Sequence, residues 1–364
     1  MESVGVKQFG DTYRGRRVLV TGHTGFKGSW LALWLTDLGA EVTGISLPPP
    51  TSPNHWDLLG LAIAEHRLDV RDASAIARVV SQVRPEVVFH LAAQSLVRRS
   101  YRDPLETWST NVVGTASVLE ACRQTGSVRA VLVVTSDKCY ESQGWERGYR
   151  ETDRLGGHDP YSASKAAAEL VAASYRSAFF GSGDAPLLAT ARAGNVIGGG
   201  DWSEDRLIPD LVRAAAAGST LEIRSPNATR PWQHVLESLS AYLLLGQKLL
   251  EGRCECEGGW NFGPGSDDNC TVAEVLNSMR VFWPGLAWQV TQQAQPHEAQ
   301  LLYLDSGKAH TELGWQPVWS LQTTLRATAD WYRHYQDDGR AESRSQLRQY
   351  IADARAAGLA WSSG

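Results

Sequence analysis

The spacing of apolar positions gives the first half of the chain two alternating textures. Short β-branched runs, beginning with Arg17-Val18-Leu19-Val20-Thr21 and continuing at Glu41 to Leu47, Glu86 to Ala92, Val128 to Thr135 and Leu187 to Ala191, predict strands. Between them, Ser29 to Leu38 (closed by Gly39), Ala73 to Val83, Asn111 to Gly126 and Tyr161 to Phe180 carry the helical period. Strands that alternate with helices predict an α/β chain with a doubly wound parallel sheet. Beyond about Gly194 the pattern changes to loops rich in Gly, Asp, Pro and Trp, with shorter helices such as Val235 to Leu250 and Val272 to Phe282. A smaller, mostly helical substrate domain is expected there. The division is placed at 1–194 and 195–364, with 231–262 expected to return to the first part. The tail from Asp337 reads as a surface helix.

Composition narrows the field without naming a function. The 364 residues are enough for one large or two smaller domains, and hydrophobic residues at 43% with charged residues at 21% describe a folded chain. A net charge of −5 gives no basic surface for a nucleic acid or an anionic membrane. The N-terminal stretch lacks an apolar signal core, and no run approaches a bilayer span, so a cytoplasmic protein is expected. Five cysteines at irregular spacing do not make a disulfide framework. Cys254 and Cys256 lack the further ligands zinc wants and read as loop thiols, so no metal is expected. Of the 14 tryptophans most are expected to fill the core, whereas Trp202 and Trp232 fall in the Gly/Asp- and Pro-rich loops of the second half.

Chemistry enters at the end of the first strand. Gly22-His23-Thr24-Gly25-Phe26-Lys27-Gly28 has a G-x-x-G-x-x-G spacing and leads directly into a helix. The glycines permit a tight turn and close backbone approach, and the helix N-terminus offers amides and a positive dipole end to a pyrophosphate. This is the context a Rossmann-type dinucleotide site requires. An acid about 20 residues on would hold the adenosine ribose, but Ser46-Leu47-Pro48 stands there, so this position does not choose between NAD and NADP. Asp69-Val70 reads equally as an adenine-side contact or an ordinary strand end.

Tyr161 and Lys165 lie one helical turn apart and share a face. The ammonium is expected to lower the phenol's pKa, fitting the tyrosine to take a proton from an alcohol. Ser136-Asp137-Lys138 follows the apolar run that ends at Thr135, where ligands of open α/β sheets bind. A simple dehydrogenase needs no such acid, so Asp137 suggests a further proton transfer such as loss of water.

These residues, with Leu91-Ala92-Ala93-Gln94, resemble the nucleotide-sugar branch of the extended short-chain dehydrogenase/reductases. The blocks VTGHTGFKGSWL, AAQSLVRRSY, TSDKCYE, GGHDPYSASK, RAGNVIGGGDW, RPWQHVLE, WNFGP and PHEA are similar to those of the CDP-glucose 4,6-dehydratases. The resemblance implies a bound NAD, oxidation at C4, loss of water across C5 and C6, and hydride return to C6. It makes Tyr161 the C4 base, Lys165 its partner and ribose contact, Ser136 the orienting hydroxyl and Asp137 the acid for the departing C6 hydroxyl. Lys138 is left open between C5 base and electrostatic stabiliser. Gly22, Thr24, Gly25, Phe26, Lys27, Gly28, Asp69, Val70, Leu91, Ala92, Ala93, Gln94, Tyr161 and Lys165 would line the NAD site. Gln94, Asn195, Arg206, Leu207, Ile208, Arg230, His234 and His297 would contact the substrate, CDP-glucose. A homodimer through the helices near Asn111 to Gly126 and Tyr161 to Phe180 is also implied. A 4-epimerase, a dehydratase of another sugar nucleotide and a non-catalytic NAD sensor remain as alternatives.

Overall fold

The computed structural model describes residues 7–145, 147–180, 183, 185–265, 268–291 and 303–363. Strands β1 (Arg17–Thr21), β2 (Glu41–Ser46), β3 (Ala64–Arg67), β4 (Val87–His90), β5 (Ala130–Val134) and β6 (Leu187–Arg192) alternate with α1 (Phe26–Asp37), α2 (His55–Leu59), α3 (Ala73–Val83), α4 (Val97–Arg102), α5 (Pro104–Trp108), α6 (Gly114–Arg123) and α7 (Pro160–Tyr175). A seventh strand, Gly258–Asn261, joins β6. The all-parallel sheet runs β3-β2-β1-β4-β5-β6 and then this strand.

The period of two explains why the central strands read as unbroken apolar runs. Val18, Val20, Phe89, Leu132 and Ala189 face a core built with α1 and the helix Val235–Leu250. Leu19, Val88, Val131, Val133 and Leu188 face the opposite core, filled by α3, α6 and α7. Both faces of the sheet are covered, so alternation of apolar with polar residues has no place in it.

Beyond β6 come α8 (Leu207–Ala216), α9 (Val235–Leu250), α10 (Val272–Phe282), α11 (Leu321–Asp338) and α12 (Ser343–Ala356). They are joined by three two-stranded sheets, pairing Val196–Ile197 with Gln233–His234, Leu221–Ile223 with Trp288–Val290, and Thr229–Pro231 with Asn269–Thr271. Helix α9 packs on the sheet: Tyr13 donates its hydroxyl hydrogen to Leu243 O at 2.6 Å, and Tyr242 and Leu243 are fully buried.

The C-terminal tail departs from the expected surface helix. In α12, Leu347, Tyr350 and Ala354 are buried, and Trp361 stacks on Phe9 at 5.1 Å between centroids. Every third or fourth residue of that polar-looking segment faces the core, a stripe that its Arg and Gln content conceals. Cys256 is likewise buried, whereas Cys254 is exposed as expected. All five thiols are free. Among the described residues no helix is long and apolar enough to cross a membrane, and no group of three acidic, His or Cys side chains is placed to hold a metal.

Candidate active site

The loops after β1, β4, β5 and β6 open on one edge of the sheet, where the strand order reverses between β1 and β4. A cleft of about 660 Å³ lies there, walled on its far side by residues of α8 and the strands that follow it. Such a switch point is where open α/β sheets bind ligands.

The glycine loop shapes one wall by what it leaves out. Gly22 has φ of +77°, and a Cβ on it would stand 2.7 Å from Ala92 N. A Cβ on Gly28 would stand 2.1 Å from Gly22 O, so only glycine lets α1 start against the turn. Gly25 at the N-cap brings no capping side chain, which leaves the first amides of a 12-residue helix to a ligand. Thr24 Oγ1 lies 2.7 Å from Ser46 Oγ and donates to Leu47 O at 3.0 Å, bracing the segment that lacks the usual ribose acid. Asp69 and Val70 line the same end, with the Asp69 carboxylate held below its usual range by hydrogen bonds from Arg71. This cradle and its open amides fit a dinucleotide.

Beside it, Asp159 caps α7 through the Ser162 amide at 2.9 Å and Pro160 opens the helix, which sets Tyr161 and Lys165 on the cleft side. Lys165 Nζ donates to Val134 O at 3.2 Å, and burial lowers its pKa to about 8. Tyr161 corrects the expectation of a depressed phenol: burial pushes it up to about 12, while the Ser136 hydroxyl beside it pulls the other way. One of the lysine's N–H groups is engaged by a backbone carbonyl, and desolvation of the phenol outweighs the rest.

Ser136 donates to Asp137 Oδ1 at 2.9 Å, and Lys138 Nζ stands 3.9 Å from the same oxygen. Asp137 is buried, and its Oδ2 has no hydrogen-bond partner. That oxygen lies against Gly194, where a Cβ would come within 2.0 Å of it. Lys27 also reaches this region: its Nζ lies 3.2 Å from Tyr242 Oη, and burial lowers its pKa to about 7, with Asp137 holding it up.

Every cofactor-side and catalytic residue expected from sequence lines this one cleft, as do Asn195, Arg206, Leu207, Ile208 and Arg230. Asn195 sits at φ of +35°, and Arg206 is fixed by Asp201 at 2.9 Å. His234 is the exception. It is fully buried, stacks edge-on against Trp319 at 4.8 Å and Trp30 at 6.2 Å, and caps α9 by accepting from Leu236 N at 3.3 Å. Burial lowers its pKa to about 3, so it is a neutral packing residue and does not face the cleft. Trp202 packs on Trp331 and Tyr335 outside the cleft, whereas Trp232 lines it. His297 lies outside the described residues.

Sequence reasoning missed Asn111. It sits in a wide turn, Ser109–Val113, between α5 and α6. Its amide donates to Gln94 O at 2.9 Å and to Ser164 Oγ at 2.8 Å, and its Oδ1 accepts from Gln94 N at 2.8 Å. It thereby ties the loop after β4 to the Tyr161 helix. Only its position at the start of an apolar helical run marked it.

Comparisons with known proteins agree with this geometry. Residues 18–255 match the model of the NAD dependent epimerase/dehydratase family. The chain is 47% identical over 328 residues to the CDP-glucose 4,6-dehydratase of Salmonella typhimurium, covering 88% of this chain and 91% of that one. The dTDP-glucose 4,6-dehydratase of Streptomyces venezuelae, solved with NAD bound, superimposes with a TM-score of 0.75 at 27% identity, over 88% of this chain and 98% of that one. The UDP-glucose 4-epimerase of Thermus thermophilus, in complex with NAD, gives 0.75 at 26% identity over 87% and 98%. The chain belongs to the NAD-dependent epimerase/dehydratase family, and NAD is the cofactor its glycine loop is shaped to receive.

Proposed function

We propose that the protein converts CDP-glucose to CDP-4-dehydro-6-deoxy-glucose by eliminating water. The observation that carries this reading is Asp137, a buried carboxylate with one unpartnered oxygen, beside Lys138 and next to the Ser136/Tyr161/Lys165 group in one cleft. The likeness to the Salmonella dehydratase supports it. NAD supplies reversible hydride acceptance, which makes a net non-redox elimination feasible because a carbonyl at C4 acidifies the C5 proton.

The chain's own groups would do the rest. Tyr161 acts as the phenolate, which the Lys165 ammonium and the Ser136 hydroxyl would stabilise; it takes the C4 hydroxyl proton and becomes the neutral phenol. Asp137 protonates the departing C6 hydroxyl. Lys138 is the group left for the C5 proton, taking it or stabilising the enolate; a Lys138→Met variant that still exchanges the C5 proton with solvent rules out the first role. Arg206 and Arg230 would meet the diphosphate, which needs a few local cations and no basic surface.

Asp137→Asn tests the reading. A 4-epimerase has no use for the acid and would keep most of its turnover. A dehydratase loses most of its base-developed 4-keto-sugar chromophore, so an Asn variant with wild-type turnover overturns the assignment.

We further propose a cytoplasmic homodimer, since free thiols suit a reducing compartment. Leu105, Trp108, Val113, Leu170 and Phe179 are exposed large apolar side chains on α5, α7 and the turns that extend them, a face suited to a second copy. Light scattering at micromolar concentration should give twice the chain mass, and Leu170→Asp should halve it; a monomeric wild type refutes the dimer.

A further inference from the structure

Lys165 has a neighbour that the reaction as read above does not use. Glu169 lies one turn further along α7, on the same face, with a side chain only 3% exposed. A carboxylate so enclosed is costly unless its lone pairs are engaged. Here Oε1 accepts from the Thr135 hydroxyl at 2.5 Å, and Oε2 accepts from the Thr190 hydroxyl at 2.6 Å and from Arg192 Nη2 at 2.7 Å. Arg192 Nη1 donates to Tyr140 Oη at 2.7 Å, and that hydroxyl donates to Asn261 Oδ1 at 2.7 Å. The guanidinium fits because position 259 is glycine: a Cβ there would stand 2.5 Å from Nη2.

The cluster sits directly behind the catalytic groups. Val134 O holds Lys165, the next residue holds Glu169, and the three after it are Ser136, Asp137 and Lys138. Two successive turns of α7 are thus fastened to two successive residues at the end of β5. On β6, Arg192 precedes by two positions the Gly194 that packs against Asp137. A slip of α7 along β5 would move Tyr161 relative to Ser136 and Asp137 together.

We propose that Glu169 is a positioning residue of the reaction, locking α7 in register with β5 and β6 and setting a negative charge beside Lys165. This rests on the elimination reading above. The charge has a direction of effect: burial lowers the Lys165 pKa to about 8, and Glu169 opposes that fall. The other titratable groups around Lys165 include Tyr161 one turn back on α7, pushed up to about 12 by burial, the Cys139 thiol, raised by burial, His90 on β4, lowered to about 3, and Lys27 on α1. Glu169 is the carboxylate among them, so its removal lets Lys165 lose its proton at lower pH.

The test is Glu169→Gln in the full-length, NAD-loaded enzyme, with kcat and KM for CDP-glucose measured across the pH range. The variant should lose about tenfold or more in kcat with KM within about twofold. The alkaline limb of kcat should move down by about one pH unit. Glu169→Asp, which keeps the charge and shortens the reach, should return the limb to its wild-type place while kcat stays low. Tryptophan-fluorescence titration with NAD should give unchanged affinity for both. A wild-type kcat–pH profile in Glu169→Gln, with loss confined to melting temperature, overturns the proposal. If that variant does not fold, Thr135→Val removes one anchor and leaves the ion pair; its kcat should still fall several-fold, and an unchanged kcat overturns the register role. Wild-type turnover in the same assay separates these failures from failure of the elimination reading itself.

Discussion

Gly194→Ala offers a direct reading of how tightly the proposed acid is placed. The backbone there lies outside the left-handed region, so alanine brings no φ penalty and only space is at issue. Its Cβ would stand 2.0 Å from Asp137 Oδ2, 2.5 Å from Cγ and 3.1 Å from Cβ. Carbon and oxygen need about 1 Å more than the shortest of these, and Asp137 is enclosed with Oδ1 bound to Ser136, so the carboxylate must swing off that bond. A displacement of about 1 Å in a catalytic group costs about 10²-fold in rate, equivalent to about 2.7 kcal/mol in the barrier. Overpacking should also lower stability by about 1–3 kcal/mol. The 4-keto-sugar assay with CDP-glucose reads the first effect, and urea unfolding reads the second. NAD affinity, set on the other wall of the cleft, should hold. A folded variant with kcat within about twofold of wild type would refute the claim that Asp137 must sit where it does.

Gly28→Ala should act on the other wall: a Cβ 2.1 Å from a backbone oxygen has no flexible neighbour to displace, so NAD binding by fluorescence quenching should fall by at least about tenfold, and near-normal binding would contradict the cradle. Glu237 gives a pH test of the core. Burial raises its pKa to about 7, so the folded state holds a proton that the unfolded state releases from about pH 4.5 upward, and the group's contribution to stability is lost as pH rises through that window. The melting temperature of Glu237→Gln relative to wild type should therefore climb from about pH 5 to about pH 8, and a constant or falling difference refutes the buried-acid account. Its loss of one acceptor for Val318 N and Trp319 N affects both ends of the range equally.

Local rules made much of this molecule legible. Ala73–Val83, Val235–Leu250 and Val272–Phe282 are found with the expected bounds because each carries its own caps and period: Asp72 caps the first, and Thr271 with Glu274 forms a capping box on the last. Gly28 could be read because its reason, a clash with Gly22 O, lies within seven residues, whereas the space at Gly22 is set by Ala92 on the neighbouring strand's loop. The elements that escaped depend on distant partners. Strand β3, Ala-Glu-His-Arg, is a polar edge that pairs with β2 alone among the described residues. The strand Gly258–Asn261 joins β6 across a long separation, with two glycines that weaken any strand signal.

The site shows the same division. Tyr161 and Lys165 announce themselves by spacing, but the direction of the Tyr161 shift does not, since it depends on how deeply the phenol is buried. His234 is a substrate contact only by the resemblance of its RPWQHVLE block; its aromatic neighbours Trp30 and Trp319, which make it a packing residue, lie far from it in sequence. No spacing in the sequence links Glu169 to Arg192, 23 positions apart. Only the fold brings them together, in surroundings where an unpaired charge is untenable.

The central claim is elimination of water from a CDP-linked hexose. Mass spectrometry of products from CDP-, UDP-, dTDP- and GDP-glucose, each incubated with the NAD-loaded protein, tests it most directly. The account predicts that CDP-glucose is the preferred substrate and that its product is lighter by one water. A product of unchanged mass, or preference for another nucleotide, would contradict it.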